Sequence, residues 1–211
     1  RLGSGRPYRL GVGAVLFDKR GRVLVARRID TPGPAWQLPQ GGLDAGESPR
    51  GAVLRELAEE IGTARARIVG ESRRWLAYDL PPALAERAWG GRYRGQKQKW
   101  FALRFLGRDA DIRLDADADP EFGAWKWARL EDLPRLIVAF KRPVYRALEA
   151  EFRRFAKPVG ARSRRETGEI QNPRARQKMR PSRGTVKMAP RKKTKRRKTK
   201  NKVNKKRNPA R

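Results

Sequence analysis

The sequence predicts an α/β sandwich, a mixed sheet between helices, followed by a basic tail. Three observations predict it. Strand-like apolar runs are mixed with a few helical patterns over residues 1–157. That length can bury one sizeable core, since domains of this size remove roughly two thirds of their unfolded surface from water. From residue 158 to 211 the composition changes to 22 Lys and Arg against 2 acidic residues. Of the chain's formal net charge of +31, this segment holds +20 and the body +11.

The elements follow in order. Tyr8, Leu10, Val12 and Ala14 to Phe17 form a run suited to a buried strand. The turn Asp18-Lys19-Arg20-Gly21 and a second run from Arg22 to Ala26 complete a hairpin. After the Pro- and Gly-rich loop Ile29 to Ala35 comes a short extended segment, Trp36 to Gln40, and then Gly41-Gly42. At Ser48 the period changes to helical. Ser48 is the cap, Pro49 the first helical residue, and Val53, Leu54, Leu57, Ala58 and Ile61 the apolar face, with an end near Gly62. Further strands are expected at 67–70, 75–80, 98–106 and 122–127, and helices at 131–139 and 143–155. Trp100 and Phe101 alternate along their strand, so at least one belongs to the core, while Trp125 and Trp127 share a face and suit packing. The tail is too poor in apolar residues, and too self-repelling, to fold alone; it reads as disordered.

Composition excludes several chemistries. With no Cys and no His, the chain has no disulfide framework, no thiolate nucleophile, no Cys-ligated zinc and no imidazole base. An enzyme built from it must use carboxylates, hydroxyls, Lys or a metal. No run approaches 18 apolar residues and Arg1 to Arg6 is polar, so a soluble intracellular protein without a membrane partner is expected.

Glu56, Glu59 and Glu60 fall at i, i+3 and i+4 of the expected helix, on an arc opposite its apolar face. Like charges at this spacing cost roughly 0.2 to 0.5 kcal/mol per pair on an isolated helix. Taken alone, three such residues fit a solvated helix face better than a site. A hard cation reverses the cost, and oxygen ligands without His or Cys suit Mg²⁺ or Mn²⁺. The chemistry this implies is metal-assisted attack of water on a phosphoanhydride.

These glutamates stand in a longer pattern. Gly41-Gly42-Leu43-Asp44-Ala45-Gly46-Glu47, followed seven residues later by Arg55-Glu56-Leu57-Ala58-Glu59-Glu60-Ile61-Gly62-Thr63, resembles the Nudix box at every fixed position. Only Thr63, where a bulky aliphatic residue is usual, departs from it. The resemblance implies a loop, helix and loop on an α/β/α sandwich, with Glu56, Glu59 and Glu60 as metal-binding carboxylates. It implies that Glu47 supports the site and that Arg55 holds the helix and glutamates in orientation. A further carboxylate outside the box is implied at Glu121, with Asp115, Asp117 and Asp119 read as a solvated acidic loop.

Outside the box, Trp36 to Gly42, Gly95 to Phe101, Glu121 to Trp127 and Phe140 to Tyr145 are similar to the bacterial RNA pyrophosphohydrolase group, which shades into dinucleoside polyphosphate hydrolases. The resemblance runs from about Tyr8 to Phe155. It implies removal of pyrophosphate or phosphate from RNA 5′ ends, leaving a 5′-monophosphate that marks RNA for decay in the cytoplasm. Cleavage of dinucleoside polyphosphates is the alternative, and a non-catalytic RNA-binding protein the alternative of another class. Arg9, Arg28, Lys97, Lys99, Lys141 and Arg142 offer charge to an extended polyanion. Phe140, between Ala139 and Lys141, suits either a stacking platform for a base or the last core residue of a helix. The basic tail has no role in the family pattern; phosphate contacts give it non-specific affinity for nucleic acid.

Overall fold

The computed structural model of the protein describes residues 5–30, 33, 36–117 and 120–160. The expectations of a disordered, nucleic-acid-binding tail fall, from residue 161 on, on residues outside these, as does part of the loop 29–35; residues 158–160 of the expected tail are described and belong with the body. A mixed sheet is built from β1 (Tyr8–Phe17), β2 (Val23–Arg28), β3 (Trp36–Gln37), β4 (Gln40–Gly42), β5 (Ala66–Glu71), β6 (Leu76–Asp79), β7 (Gly95–Phe105) and β8 (Phe122–Ala128). Its main path runs β3-β2-β1-β7-β5, with β4 on β1, β6 on β7 and β8 on β2. Only β1 and β7 pair in parallel, from Tyr8 opposite Gly95 to Phe17 opposite Arg104; the other pairings are antiparallel.

Helices cover both faces. On one, α1 (Pro49–Ile61) buries Ala52, Val53, Leu57 and Ile61 against Val12, Ala14, Leu16, Phe101 and Leu103. On the other, α4 (Arg142–Phe152) buries Val144, Tyr145, Leu148 and Phe152 against Val15, Phe17, Trp100 and Ala102. Because β1 is covered on both sides, its sequence reads as a nearly unbroken apolar run rather than an alternation. Trp100 and Phe101 are therefore both core residues, one under each helix layer.

The start of α1 matches its sequence signals, with the Ser48 hydroxyl accepting from Gly51 N at 3.1 Å. Gly62 ends the helix at φ 71°, the left-handed geometry glycine adopts without strain. Two other helical expectations need correction. The one over 131–139 is only a single turn, α3 (Leu133–Leu136), because Ile137 and Val138 turn extended (ψ 157° and 147°) and Ile137 enters the core. A short α2 (Pro82–Arg87) lies where only a connection was expected; Pro82 opens it, where the missing N–H costs nothing. The chain beyond α4 is held to the body as far as Val159, whose N–H donates to Lys19 O at 2.9 Å. No described helix is long and apolar enough to cross a membrane.

Candidate active site

The connection between β3 and β4 is pinned on two sides: Leu38 N donates to Tyr145 Oη at 2.9 Å, and Ala14 N to Pro39 O at 2.8 Å. This fixes Gln40, Gly41 and Gly42 beside the acidic side of α1. A Cβ on Gly41 would lie 1.9 Å from the Glu56 carboxylate, and one on Gly42 2.2 Å from Arg9 Nη2, so a side chain at either position would displace the end of Glu56 or of Arg9 from the place it holds in the site. Gln40 N donates to Glu60 Oε2 at 2.9 Å.

Glu60 is buried, and Ala58, expected on the docking face, is exposed. The acidic arc is thus not a solvated helix face. The helix is rotated so that Glu60 turns under the loop and Ala58 and Glu59 turn outward. Burial pushes the Glu60 carboxyl well up from its ordinary value, and the charges of Glu121 and Glu56 push the same way. Glu56 is also raised, by burial first, against the opposing pull of Arg55.

Arg55 is the hub of the cluster. Its Nε and Nη2 grip both oxygens of Glu47 at 2.9 and 2.8 Å, Nη1 donates to Glu56 and Glu59 at 3.0 Å each, and Nη2 also reaches Gly42 O at 3.0 Å. The hydrogen bonds from Arg55 hold the Glu47 carboxyl below its usual range. One guanidinium therefore joins the loop before α1 to two carboxylates on the helix. Gly62 closes the helix behind them.

Glu121, just before β8, accepts from Arg28 Nη1 at 2.6 Å, and Arg28 also grips Asp30 through Nε and Nη2 at 2.7 Å each. Its charge is felt at Glu56 and Glu60, so it belongs to the same cluster. Asp115 and Asp117 are exposed. Among the described residues no three acidic side chains converge as a ready-made ion cage, because Arg55 stands among Glu47, Glu56 and Glu59. The donor set nevertheless fits a hard divalent cation: every donor is a carboxylate oxygen, and two are desolvated and mutually repelled in the absence of a cation. Glu56, Glu59, Glu60 and Glu121 would hold it, with Glu47 acting through Arg55.

The predicted cationic residues divide. Lys141 is buried in the site, 3.4 Å from Gln37 Oε1 and 5.1 Å from the Tyr78 ring centre. Burial and the charge of Arg28 bring its ammonium down to about 8, against the pull of Glu60 and Glu121. Phe140 is half-buried against Tyr78, ring centres 5.7 Å apart, on a 3-10 turn rather than a helix end. Arg142 is exposed at the first turn of α4. Lys97 and Lys99 lie on the α1 face of β7, opposite Gln96 and Gln98, because side chains alternate along a strand. Lys99 is committed to Ser72 O at 2.6 Å and Glu71 at 3.8 Å.

The polar floor of the site had no assigned role in the sequence. Gln96 Oε1 accepts from Tyr78 Oη at 2.5 Å, Gln98 Nε2 at 3.0 Å and Gln40 Nε2 at 3.5 Å. Gln40 Oε1 and Gln98 Oε1 are buried without a hydrogen-bond partner among the described residues. The available signal was two glutamines on the strand face that continues into Trp100 and Ala102, since buried polar side chains in a core strand demand a reason.

The fold and this cluster define a class, sandwich proteins in which a loop, a helix and a loop carry glutamates gathered around an arginine. The chain belongs to the NUDIX family: the family model described as NUDIX domain matches residues 7–148. The RNA pyrophosphohydrolase of Gluconacetobacter diazotrophicus is 58% identical over 160 residues, covering 72% of this chain and 96% of that protein. That of Rhodospirillum rubrum is 58% identical over 158 residues, covering 75% and 94%. Among solved structures, the E. coli dihydroneopterin triphosphate pyrophosphohydrolase superposes with a TM-score of 0.54 at 21% identity over 69% of this chain and 99% of that one. A C. elegans Ap4A hydrolase does so at 0.50 and 23%, over 69% and 98%. At those identities the likeness is one of fold.

Proposed function

We propose that the protein is a Nudix hydrolase that acts on RNA 5′ ends, converting a 5′-triphosphate or diphosphate to a 5′-monophosphate and so committing the RNA to decay. The observation that carries the reaction class is the pair of half-buried Glu56 and buried Glu60, kept in place by Arg55 and by the Gln40 amide. The substrate class rests on the two relatives named RNA pyrophosphohydrolase, which align over nearly their whole length. Mg²⁺ or Mn²⁺ suits the all-oxygen donor set, and such an ion supplies charge neutralisation and a more acidic water.

The chain's own groups do the rest. The carboxylates of Glu56, Glu59, Glu60 and Glu121 provide proton-accepting oxygens for the attacking water, as a coupled group. Arg9, beside Gly42, and Lys141, on the glutamine floor, receive phosphate oxygens. Arg28 joins them once substrate or cation competes for Glu121. Phe140 takes a base, and Arg142 and Lys97 lend charge from the rim. The cytoplasm, where triphosphorylated transcripts are made, is the expected place of action, and residues 161–211 add contacts to the RNA body.

The test is release of pyrophosphate and phosphate from a short 5′-triphosphorylated RNA, run beside dinucleoside tetraphosphate, with wild type and Glu60→Gln. Fast cation-dependent release from the RNA, lost in the variant, is expected. Cleavage of the dinucleotide alone would reject the RNA reading and keep the reaction class.

A further inference from the structure

Beside the glutamate site lies a group of aromatic and cationic side chains that the reaction does not use. It is built by the connection from α2 into β7. Trp89 has φ 52° and ψ 35°, the one non-glycine residue with positive φ among those described, and Gly90 and Gly91 follow at φ 63° and 72°. A left-handed backbone is unfavourable for a bulky side chain and persists only where the surroundings enforce it; such outliers gather at binding sites. Glycine could take this position without cost, yet it holds the largest side chain.

The turn sets the half-buried indole edge-on to Tyr93, ring centres 6.1 Å apart at 78°. Arg92 lies 5.7 Å over the Tyr93 ring and its Nε donates to Trp89 O at 3.2 Å. Arg9 links this group to the catalytic end. Its guanidinium lies against Gly42 of the glutamate loop on one side and 5.3 Å from the centre of the Trp89 ring on the other. A phosphate held by Arg9 is therefore next to the indole. Arg94 adds charge nearby, 5.0 Å over the Tyr8 ring, though Asp79 pairs with it at 2.8 and 2.9 Å. Aromatic faces interleaved with arginines suit an unpaired nucleic-acid strand, because bases stack without regard to sequence while the cations follow the backbone.

We propose that Trp89 and Tyr93 form a stacking platform for an unpaired base near the RNA 5′ end, with Arg9 and Arg92 on the adjoining phosphates. The proposal rests on the RNA reading above, and it adds a second aromatic contact, on the far side of Arg9, to the one proposed at Phe140.

The test uses the full chain and a single-stranded 5′-hydroxyl RNA, which cannot be hydrolysed, with binding measured at salt raised severalfold to suppress the contribution of the basic tail. Trp89→Gly removes the ring and relaxes the backbone, and Trp89→Phe keeps a ring. Trp89→Gly is expected to weaken binding about tenfold or more, with Trp89→Phe close to wild type and the salt slope unchanged in both. An abasic ribose at one position among the second to fifth should cost the wild type a similar factor and cost Trp89→Gly nothing further. If every abasic position costs Trp89→Gly as much as wild type, or if Trp89→Gly binds as wild type does, the platform is rejected. Failure of the wild type to hydrolyse 5′-triphosphorylated RNA would instead reject the functional reading, which this binding measurement does not touch.

Discussion

Arg55 holds Glu47 through two parallel hydrogen bonds, 2.9 and 2.8 Å, and with the same guanidinium reaches Glu56 and Glu59. The site is therefore organised by an arginine that need not touch substrate. Its planar fork fixes the spacing of three carboxylates at once, which an ammonium cannot do. In the absence of a cation it also offsets the repulsion that clustering creates.

Arg55→Lys tests this directly. The charge is kept and the fork is lost, so the carboxylates lose their mutual spacing. Turnover and apparent divalent-cation affinity are each expected to fall about 10- to 100-fold, as for groups that orient ligands. A cation titration of activity checks both, and a variant with unchanged cation affinity would show that Arg55 serves only the fold.

Glu60→Gln separates chemistry from stability. It should lose turnover by several orders of magnitude while the cation-free protein gains stability, since a buried, repelled carboxylate is removed and Gln can still accept from Gln40 N. The sign with pH follows from the raised carboxyl. Above the ordinary value of 4.5 the folded state holds a proton that the unfolded chain has released, so cation-free stability falls as pH rises through the window between the two values. Melting temperatures across that window should decline in wild type and decline less in the variant.

Much of this was legible in the sequence because the signals were local. Ser48, Pro49 and Gly62 mark both ends of α1, and the spacing of Gly41, Glu47, Arg55, Glu56, Glu59 and Glu60 brings in the whole NUDIX loop and helix. What was not legible depends on tertiary placement. The burial of Glu60 and exposure of Ala58 follow from how α1 is rotated under the pinned Leu38–Pro39 connection, which periodicity alone does not set. Lys141 looks like a surface cation next to Arg142, yet one step along a 3-10 turn places it under Tyr78. Gln96 and Lys97 are neighbours in sequence on opposite faces of β7, and only the register with β1 and β6 tells which face meets the site.

The depressed ammonium of Lys141 predicts a pH effect on substrate binding. Its folded value is about 8 against an ordinary 10.5, so it loses charge within an accessible range. KM for a polyphosphate substrate should rise as pH passes about 8 in wild type. Lys141→Met should bind about 10- to 100-fold less tightly at pH 7, the worth of a charge-assisted hydrogen bond, and show no such rise. Stability runs the other way: between about 8 and 10.5 the unfolded chain binds the extra proton, so wild-type stability relative to Lys141→Met increases with pH across that window.

Residues 161–211 carry most of the chain's excess charge, and the backbone tie from Val159 to Lys19 sets where a truncation should fall. Cutting after Gly160 leaves that tie intact. Every phosphate that the shortened protein no longer neutralises lowers the slope of log affinity against log salt by nearly one, so it should bind RNA more weakly at low salt and with a much flatter salt dependence. Its hydrolysis of dinucleoside tetraphosphate, too short to reach far from the glutamates, should match the full chain. RNA binding measured at several salt concentrations, beside that assay, checks both. A truncated chain that no longer cleaves the small substrate would mean that the tail completes the folded body, and an unchanged salt slope would mean that the RNA is held by the body alone.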